Sequence, residues 1–435
     1  MPSSPLWKLF FMMVLQFFIW GAWLPLIFGY LPSLNFTASQ QSWILNAFPI
    51  AAIAGMFFSN QFADRNFAAE KFLAFSHLVS GAALLGLAFA TSFWPFLILM
   101  YVHCLLYVPT ISITNSIAFA NMRDPQKEFG IVRMGGTIGW ILAAWPFTFV
   151  FVDWSAVDAS AKTGFIEWLL AALAHPLTGA AAQAATKWTY LVAGGASLLL
   201  AMFSFLLPHT PPRATESQAW AKAFGLLKHP FVLVLWLVAF VDSFVHNCYF
   251  NWTGTFLGSD KVGIASNWIM PVMSIGQVAE IGTMFVLGSV LKKLGWRTTM
   301  VIGVLGHAAR FAVFAYLPQY PSLVVAVNVL HGVCYAFFFA TVYIFVDAYL
   351  PKDIRSSAQG LFNLMILGGG ALLANSICPY LIQDVYTHVD AVSQVKTIDF
   401  TGLFKLPMLI ALGAAVVLAI AFQPPAEPPN SAKVA

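Results

Sequence analysis

Twelve long apolar runs constrain the fold of this chain more than any other feature of its sequence. Each run is roughly 18 residues or longer, which is the length that an α-helix needs to cross the hydrocarbon core of a bilayer. The runs lie at about residues 6–34, 43–63, 72–92, 94–121, 131–152, 189–208, 230–257, 264–291, 298–317, 321–346, 357–383 and 403–422. The pattern predicts an all-α polytopic membrane protein with twelve transmembrane helices.

The composition excludes an ordinary soluble protein. Hydrophobic residues occupy 60% of the 435 positions and charged residues only 9%, whereas soluble domains contain about 25% charged residues. The four cysteines, Cys104, Cys248, Cys334 and Cys378, lie singly in apolar segments, so the sequence predicts neither a disulfide framework nor a zinc site. We expect no cofactor, no bound metal and no nucleic-acid partner; the lipid bilayer is the expected surrounding.

The distribution of positive charge predicts how the chain is oriented. An even number of spans places both termini on the same side of the membrane, and most of the 21 Lys and Arg residues fall in segments on that side. Because cytoplasmic loops carry an excess of Lys and Arg, both termini are predicted to be cytoplasmic. We expect the protein to be a monomer.

One polar connector divides the chain into two parts with six spans each. The predicted organisation is an N-terminal six-helix half at 1–209, a cytoplasmic linker at 210–229, a C-terminal six-helix half at 230–423 and a disordered cytoplasmic tail at 424–435. Tight basic loops, FADRNFAAEK from Phe62 and KKLGWR from Lys292, occupy equivalent places in the two halves. This organisation resembles the major facilitator superfamily, in which two six-helix halves rock around a site near the membrane midplane.

Two polar side chains interrupt the eighth apolar run. Gln277 and Glu280 are three residues apart, so they share one face of a helix. An acidic group at the bilayer centre costs roughly 2.5 to 3.5 kcal/mol on insertion scales. Glu280 therefore either faces a wet cavity or forms hydrogen bonds that hold two helices together.

Aromatic and charged residues share helix faces in the N-terminal half. Gln16 and Trp20 are one turn apart in the first span, and Arg133, Thr137 and Trp140 follow at i, i+4 and i+7 in the fifth. A cation beside aromatic rings suits a polar solute that carries a ring. Ordinary packing of the tryptophans and an arginine that snorkels to the helix end are the alternatives.

The C-terminal half contains further charges inside its spans. Asp242 and His246 are one turn apart in the seventh span and either share a proton or form a fixed structural pair. Arg310 in the ninth span needs an acidic or carbonyl partner. The carboxylates available to it are Asp242, Glu280 and Asp347.

Eight sequence blocks, in order along the chain, resemble one family. They are LQFFIWGAWL from Leu15, YVPTISITNSIAF from Tyr107, VRMGGTIGWI from Val132, LPHTPP from Leu207, SIGQVAE from Ser274, ARFAVFAYLP from Ala309, HGVCYAFFF from His331 and IRSSAQGLF from Ile354. The chain resembles the nucleoside:proton symporter family of bacterial nucleoside permeases over nearly all of its transmembrane length. The resemblance implies a secondary transporter, and not an enzyme, that moves nucleosides across the cell inner membrane by alternating access with proton symport.

The helix faces and the resemblance together predict the site. The predicted substrate-binding residues are Gln16, Trp20, Arg133, Thr137, Trp140, Asn247, Gln277, Glu280, His331 and Tyr335. Glu280 and Asp242 are the predicted proton-coupling groups. One departure stands directly after the aromatic of the tenth span, where the family's transporters commonly carry Asp and this chain has Ala336.

Two other functions fit parts of the pattern. A symporter for sugars or other polar metabolites is one, because Trp together with a carboxylate also suits a pyranose ring. A membrane sensor that does not transport is the other, given Ala336. A membrane enzyme is disfavoured, because the sequence has no paired acidic metal motif and no clustered His and Cys ligands.

Overall fold

Helices account for most of the chain that the computed structural model describes. The described residues are 5–55, 66–123, 125–157, 164–212, 224–349, 355–391 and 393–424, with side chains left out at 125–127 and 355–357. The first four residues of the loop from Phe62, most of the predicted linker and the tail beyond residue 424 lie outside these ranges, as does the side chain of Arg355.

The helices follow one another along the chain with short connections. The first ten are α1 (Leu6–Ser33), α2 (Ala38–Leu45), α3 (Ala47–Ala54), α4 (Ala69–Leu87), α5 (Phe93–Asn121), α6 (Pro125–Ala144), α7 (Phe147–Val150), α8 (Phe165–Leu173), α9 (Gly179–Ala185) and α10 (Lys187–Ser204). The next eight are α11 (Pro230–Leu257), α12 (Ile269–Tyr316), α13 (Pro321–Ala326), α14 (Leu330–Cys334), α15 (Thr341–Tyr349), α16 (Arg355–Asn363), α17 (Gly370–Tyr380) and α18 (Phe400–Ala421). The polar loop before α18 also contains an antiparallel hairpin of β1 (Thr387–Val389) and β2 (Lys396–Ile398), which the apolar pattern does not predict.

Seven helical segments of the described chain are long and apolar enough to cross a membrane. They are Leu6–Ser33, Phe93–Asn121, Pro230–Leu257, Ser266–Tyr316, Pro321–Tyr349, Ala358–Val385 and Phe400–Ala421. The fourth of these contains the eighth and ninth predicted spans, which are separated by a turn at Gly295 with φ 72° and ψ 174°. Glycine adopts this conformation without a steric penalty. In the described residues, the second predicted span overlaps α2 and α3 up to residue 55, and the third, fifth and sixth overlap α4, α6 and α10.

The chain groups into two compact units. Unit 1 comprises the described residues of Met1–Ile44, Asn66–Pro212 and Trp252–Ile275, and unit 2 comprises those of Leu45–Arg65, Arg213–Asn251 and Gly276–Ala435.

In unit 1, helix α1 packs along α6, and α4 packs between α5 and α10. The contact between α1 and α6 is close because α6 presents glycine at the seam. A Cβ atom on Gly139 would collide with the backbone carbonyl of Val14, and one on Gly135 would lie 2.7 Å from the carbonyl oxygen of Phe10. Small residues allow helix backbones to approach in this way. The seam fixes the positions of the other side chains that α6 carries.

The start of α4 is held by a buried carboxylate. Glu70 lies in the first turn of α4, where it accepts hydrogen bonds from the Thr210 N–H at 3.0 Å and from Nδ1 of His209 at 2.8 Å. Burial raises the pKa of Glu70, but these two hydrogen bonds more than offset that effect, so its pKa lies below the usual value.

In unit 2, helices α12 and α14 touch through glycine on both sides. A Cβ atom on Gly332 would collide with the backbone nitrogen of Glu280, and one on Gly276 would lie 2.6 Å from Cβ of His331. Thr283 adds a hydrogen bond from its hydroxyl to the Gly332 carbonyl at 3.0 Å. This contact brings the polar face of the eighth span against the tenth.

The tenth and eleventh spans depart from regular α-helix. π-helical turns occupy Tyr335–Ala340 and Leu364–Gly369. The hydroxyl of Thr341 donates to the Ala336 carbonyl at 3.0 Å inside the first of them. Single π turns are frequent at functional sites.

Candidate transport site

The predicted residues of unit 1 lie on α1 and α6, the helices that form the seam. The rings of Trp20 and Trp140 meet edge to face with centroids 5.3 Å apart. The guanidinium carbon of Arg133 lies 4.3 Å from the centre of the Phe17 ring, which is a cation–π distance. Thr137, between Arg133 and Trp140 on α6, is half-buried. The structure therefore brings the predicted aromatic and cationic groups of this unit together.

Gln16 is fully buried and its amide is bound to protein groups. Its Nε2 donates to Oγ1 of Thr110 at 2.9 Å, and its Oε1 lies 2.9 Å from Nε2 of His77. The hydroxyl of Tyr107 donates to its backbone carbonyl at 2.5 Å. Gln16 thus joins α1 to α4 and α5, and a substrate would have to replace one of these bonds to contact its amide.

Two histidines of unit 1 extend this buried polar cluster. Nδ1 of His77 lies 3.0 Å from the Ser197 hydroxyl, and Nδ1 of His103 lies 2.7 Å from the Ser80 hydroxyl. His77 is not among the residues predicted for the site. The signal that could have identified His77 is its spacing from Ser80, which lies three residues further on and so shares one face of α4.

Gln277, Glu280 and His331 meet where α12 touches α14. Nε2 of Gln277 lies 3.4 Å from Nε2 of His331, and both side chains are buried. Glu280 is half-buried one turn further along the same face of α12. Tyr335, on the π turn that follows α14, is half-buried with its ring 6.0 Å from that of Phe339.

The predicted amide of the seventh span is engaged on its own helix. Nδ2 of Asn247 donates to the Ser243 carbonyl one turn back at 2.8 Å, and its side chain is half-buried. One turn further on, Asn251 donates to Oδ1 of Asn375 at 3.0 Å, and Asn375 donates to the Leu45 carbonyl at 3.1 Å. Asn251 is therefore the residue of this pair that ties α11 to α17.

Arg310 is fully buried, and its immediate partners are histidines. One terminal nitrogen lies 3.0 Å from Nδ1 of His331 and the other 3.0 Å from Nδ1 of His307. The guanidinium also lies 3.9 Å from the centre of the Tyr249 ring. The sequence predicts an acidic or carbonyl partner for Arg310. Among the candidate carboxylates, Asp242 is the one that the structure places beyond His307.

The carboxylate of Asp242 faces His307. Its Oδ2 lies 3.6 Å from Nε2 of His307, and both side chains are fully buried. His246, the neighbour that the sequence suggested for Asp242, packs its ring against those of His331 and His307 at 4.9 and 5.6 Å. His307 itself was not singled out from the sequence.

The hydrogen-bond donors of Arg310 determine which nitrogen of each neighbouring histidine carries the proton. A guanidinium has donors only, so His331 and His307 must each accept at Nδ1 and carry their proton at Nε2. Nε2–H of His307 then points at Asp242. Nε2–H of His331 needs an acceptor, and the side-chain oxygen of Gln277 supplies one when the amide is rotated by half a turn. In this orientation of the amide, the buried Oε1 of Gln277 also gains a hydrogen-bond partner.

Long apolar helices that enclose charged and hydrogen-bonded side chains define a polytopic helical membrane transporter. The sequence profile described as "Nucleoside H+ symporter" matches residues 4–163 and 161–427. The chain belongs to the nucleoside H+ symporter family.

Three relatives illustrate this similarity. The Escherichia coli (strain K12) protein YegT is 30% identical over 96% of this chain and 93% of its own length. The xanthosine permease of the same organism is 27% identical over 94% of this chain and 93% of its own. The crystal structure of the nucleoside transporter NupG superposes with a TM-score of 0.78 at 21% identity, covering 97% of this chain and all of that one.

The comparisons confirm several predictions from the sequence. The all-α major facilitator fold with two six-helix halves agrees with the similarity to NupG. Membership of the family confirms the predicted nucleoside transporter with proton symport, and a transporter rather than an enzyme. The chain is a multi-pass membrane protein whose small-molecule substrate is a nucleoside.

Proposed function

We propose that the chain carries a nucleoside and a proton together into the cell across the inner membrane by alternating access. The observation that carries this proposal is the contact of Gln277 with His331, which joins the predicted substrate face of α12 to the buried charge of Arg310. A substrate-facing amide connected to a buried ionisable cluster is what coupled transport requires.

We assign the binding of the nucleoside to two groups of side chains. In unit 1, the rings of Trp20 and Trp140 offer faces for the base and Arg133 offers donors, supported by their arrangement along one seam. In unit 2, the polar groups offered to ribose or base are those of Gln277, Glu280, His331, Tyr335 and Asn247. Thr137 completes the face of α6, whereas Gln16 supports α1 through its bonds to Thr110 and His77.

The proposed division of the chain into halves, linker and tail is the one that the apolar runs of the sequence predict. Halves at 1–209 and 230–423 are joined by a cytoplasmic linker at 210–229, and the tail at 424–435 follows the last span. Both termini are cytoplasmic, as the excess of Lys and Arg on that side predicts. The proposed working form is a monomer in the lipid bilayer.

Transport by purified protein tests this function. Proteoliposomes would be loaded with buffer, and uptake of radiolabelled uridine and adenosine would be measured with and without an inward proton gradient. We expect uptake that the gradient stimulates and that unlabelled nucleosides compete away. Competition by free sugars but not by nucleosides would instead indicate the sugar symporter, and an absence of any uptake would indicate the sensor.

Two variants accompany this test. Trp140→Ala removes the ring proposed to face the base and is expected to raise the KM for uptake by about 10-fold, the effect of losing roughly 1.4 kcal/mol of stacking. Trp188→Ala, on the exposed start of α10, is the matched control and should leave the KM unchanged. Equal effects of the two changes would remove Trp140 from the proposed site.

A further inference from the structure

Five buried polar side chains of unit 2 form one connected series, which we call the polar ladder. In order they are Gln277, His331, Arg310, His307 and Asp242, joined by distances of 3.4, 3.0, 3.0 and 3.6 Å. We propose that Asp242 takes up the transported proton and that the polar ladder links the charge of Asp242 to Gln277. This inference rests on the proposed nucleoside–proton symport and names its coupling group.

The donor pattern of the ladder leaves one place for an added proton. His331 and His307 both accept from Arg310 at Nδ1, so a second proton on either ring would turn an acceptor into a donor and break that bond. Both oxygens of Asp242 lack a hydrogen-bond partner among the described residues. Asp242 is therefore the member of the ladder that can accept a proton without losing a bond.

The charges around Asp242 explain why its protonation matters. The titratable and charged groups around it are His246, one turn along its own helix, His307 and Arg310 on α12, and the Cys334 thiol on α14. Of these, Arg310 is the permanent charge, and its burial is tolerable only while an anion balances it. A proton on Asp242 removes that anion and leaves the ladder with one net positive charge.

The uncompensated positive charge can be stabilised at the Gln277 end of the polar ladder. Arg310 then polarises both of its histidine acceptors more strongly, and the Nε2–H of His331 becomes a stronger donor towards Gln277. A nucleoside oxygen or ring nitrogen at Gln277 would stabilise this polarised state. Proton uptake at Asp242 and nucleoside binding at Gln277 therefore favour each other, and the coupling is reciprocal.

This mechanism separates the roles of the two predicted coupling groups. Asp242 is fully buried and joined to the only buried arginine among the described residues. Glu280 is half-buried one turn from Gln277 on the same face of α12. We therefore assign the proton to Asp242 and a substrate contact to Glu280. His331, His307 and Arg310 act as positioning residues, because they work through Asp242 and Gln277.

Gradient-driven uptake and exchange in the same proteoliposomes test the proposal. Asp242→Asn keeps the shape of the side chain and removes the site for the proton. We expect the stimulation of uridine uptake by an inward proton gradient to fall to about 1-fold, while exchange of internal for external uridine stays within about 3-fold of wild type. Glu280→Gln should raise the KM and keep the stimulation. Stimulation retained in Asp242→Asn would overturn the proposal.

A second variant covers the case in which Asp242→Asn is poorly folded. Asp242→Asn combined with Arg310→Gln removes both charges and so leaves no uncompensated ion in the membrane. The expected result is uridine exchange without stimulation by the gradient. Stimulation in the double variant would overturn the proposal, as would loss of stimulation in Glu280→Gln alone. Failure of the symport itself would be recognised separately, because wild-type protein would then show no stimulation.

Discussion

Arg310 donates a hydrogen bond to Nδ1 of His331 over 3.0 Å, deep inside unit 2. This bond fixes the tautomer of His331 and turns its Nε2–H towards Gln277, which sequence reasoning placed at the substrate. The imidazole ring of His331 thus connects the buried charge of Arg310 to the proposed substrate-binding face. In the proposed mechanism, the buried arginine therefore contributes to transport as well as to packing.

Two replacements of His331 separate these two roles. The side-chain oxygen of His331→Asn can still accept from Arg310 at the position of Nδ1, but the donor towards Gln277 is lost. We expect this variant to keep wild-type thermal stability in detergent and to raise the KM for uridine by about 10-fold. His388→Asn, on the exposed hairpin, is the matched control and should change neither quantity.

His331→Ala removes the acceptor as well as the donor. A buried N–H of Arg310 is then unpaired, which costs about 1 to 3 kcal/mol of stability. We expect a lower melting temperature for His331→Ala than for His331→Asn in the same detergent. If the two variants had the same melting temperature, the hydrogen bond from Arg310 to His331 would not contribute to stability.

The seam of α1 and α6 should be sensitive to a single methyl group. Gly139→Ala places a Cβ atom against the Val14 carbonyl, so the two helices must move apart. We expect a loss of about 1 to 3 kcal/mol in stability, measured by thermal unfolding in detergent. Gly282→Ala is the matched control, because a Cβ there meets no atom within 4 Å. A control as unstable as Gly139→Ala would show that the seam is not the cause.

The carboxylate at the start of α4 predicts a dependence of stability on pH. The pKa of Glu70 is lower in the folded chain than its ordinary value of 4.5, because the Thr210 N–H and His209 favour the charged form despite burial. Its stabilisation is therefore fully present above about pH 4.5 and is lost as the pH falls through the lowered pKa.

Thermal unfolding of Glu70→Gln as a function of pH checks this sign. We expect wild type to be more stable by about 1.5 to 3 kcal/mol at neutral pH, the range for a hydrogen bond to a charged group. The difference should shrink towards zero below pH 4. Glu167→Gln makes the same change at an exposed position on α8 and serves as the control. A difference that grows as the pH falls would contradict the assigned ionisation of Glu70.

Much of the fold was predictable from the sequence because span length is a local property. A run of apolar residues must be helical in lipid, since every backbone group has to be satisfied within the segment. Gln277, Glu280 and His331 could also be identified as candidate site residues, because they are polar groups within apolar spans. The turn at Gly295 agrees with the basic loop predicted between the eighth and ninth spans.

The partners of the buried groups were not predictable in the same way. Whether Arg310 meets Asp242 directly or through His307 depends on the rotation and depth of two helices, α11 and α12, and apolar spacing determines neither. His77 and His307 were overlooked because a single histidine in an apolar run carries no sign of its partner. The π turn that begins at Tyr335 also shifts the face that regular helical spacing assigns to the residues after it.

Simultaneous recording of uridine uptake and internal pH in proteoliposomes of the wild-type protein tests the central claim most directly. The vesicles would start with equal pH on both sides, and uridine would be added outside with a potassium diffusion potential that is negative inside. Proton-coupled symport predicts that uridine entry acidifies the lumen, in proportion to the uridine taken up. Uridine entry at full rate with no change of internal pH would contradict the account.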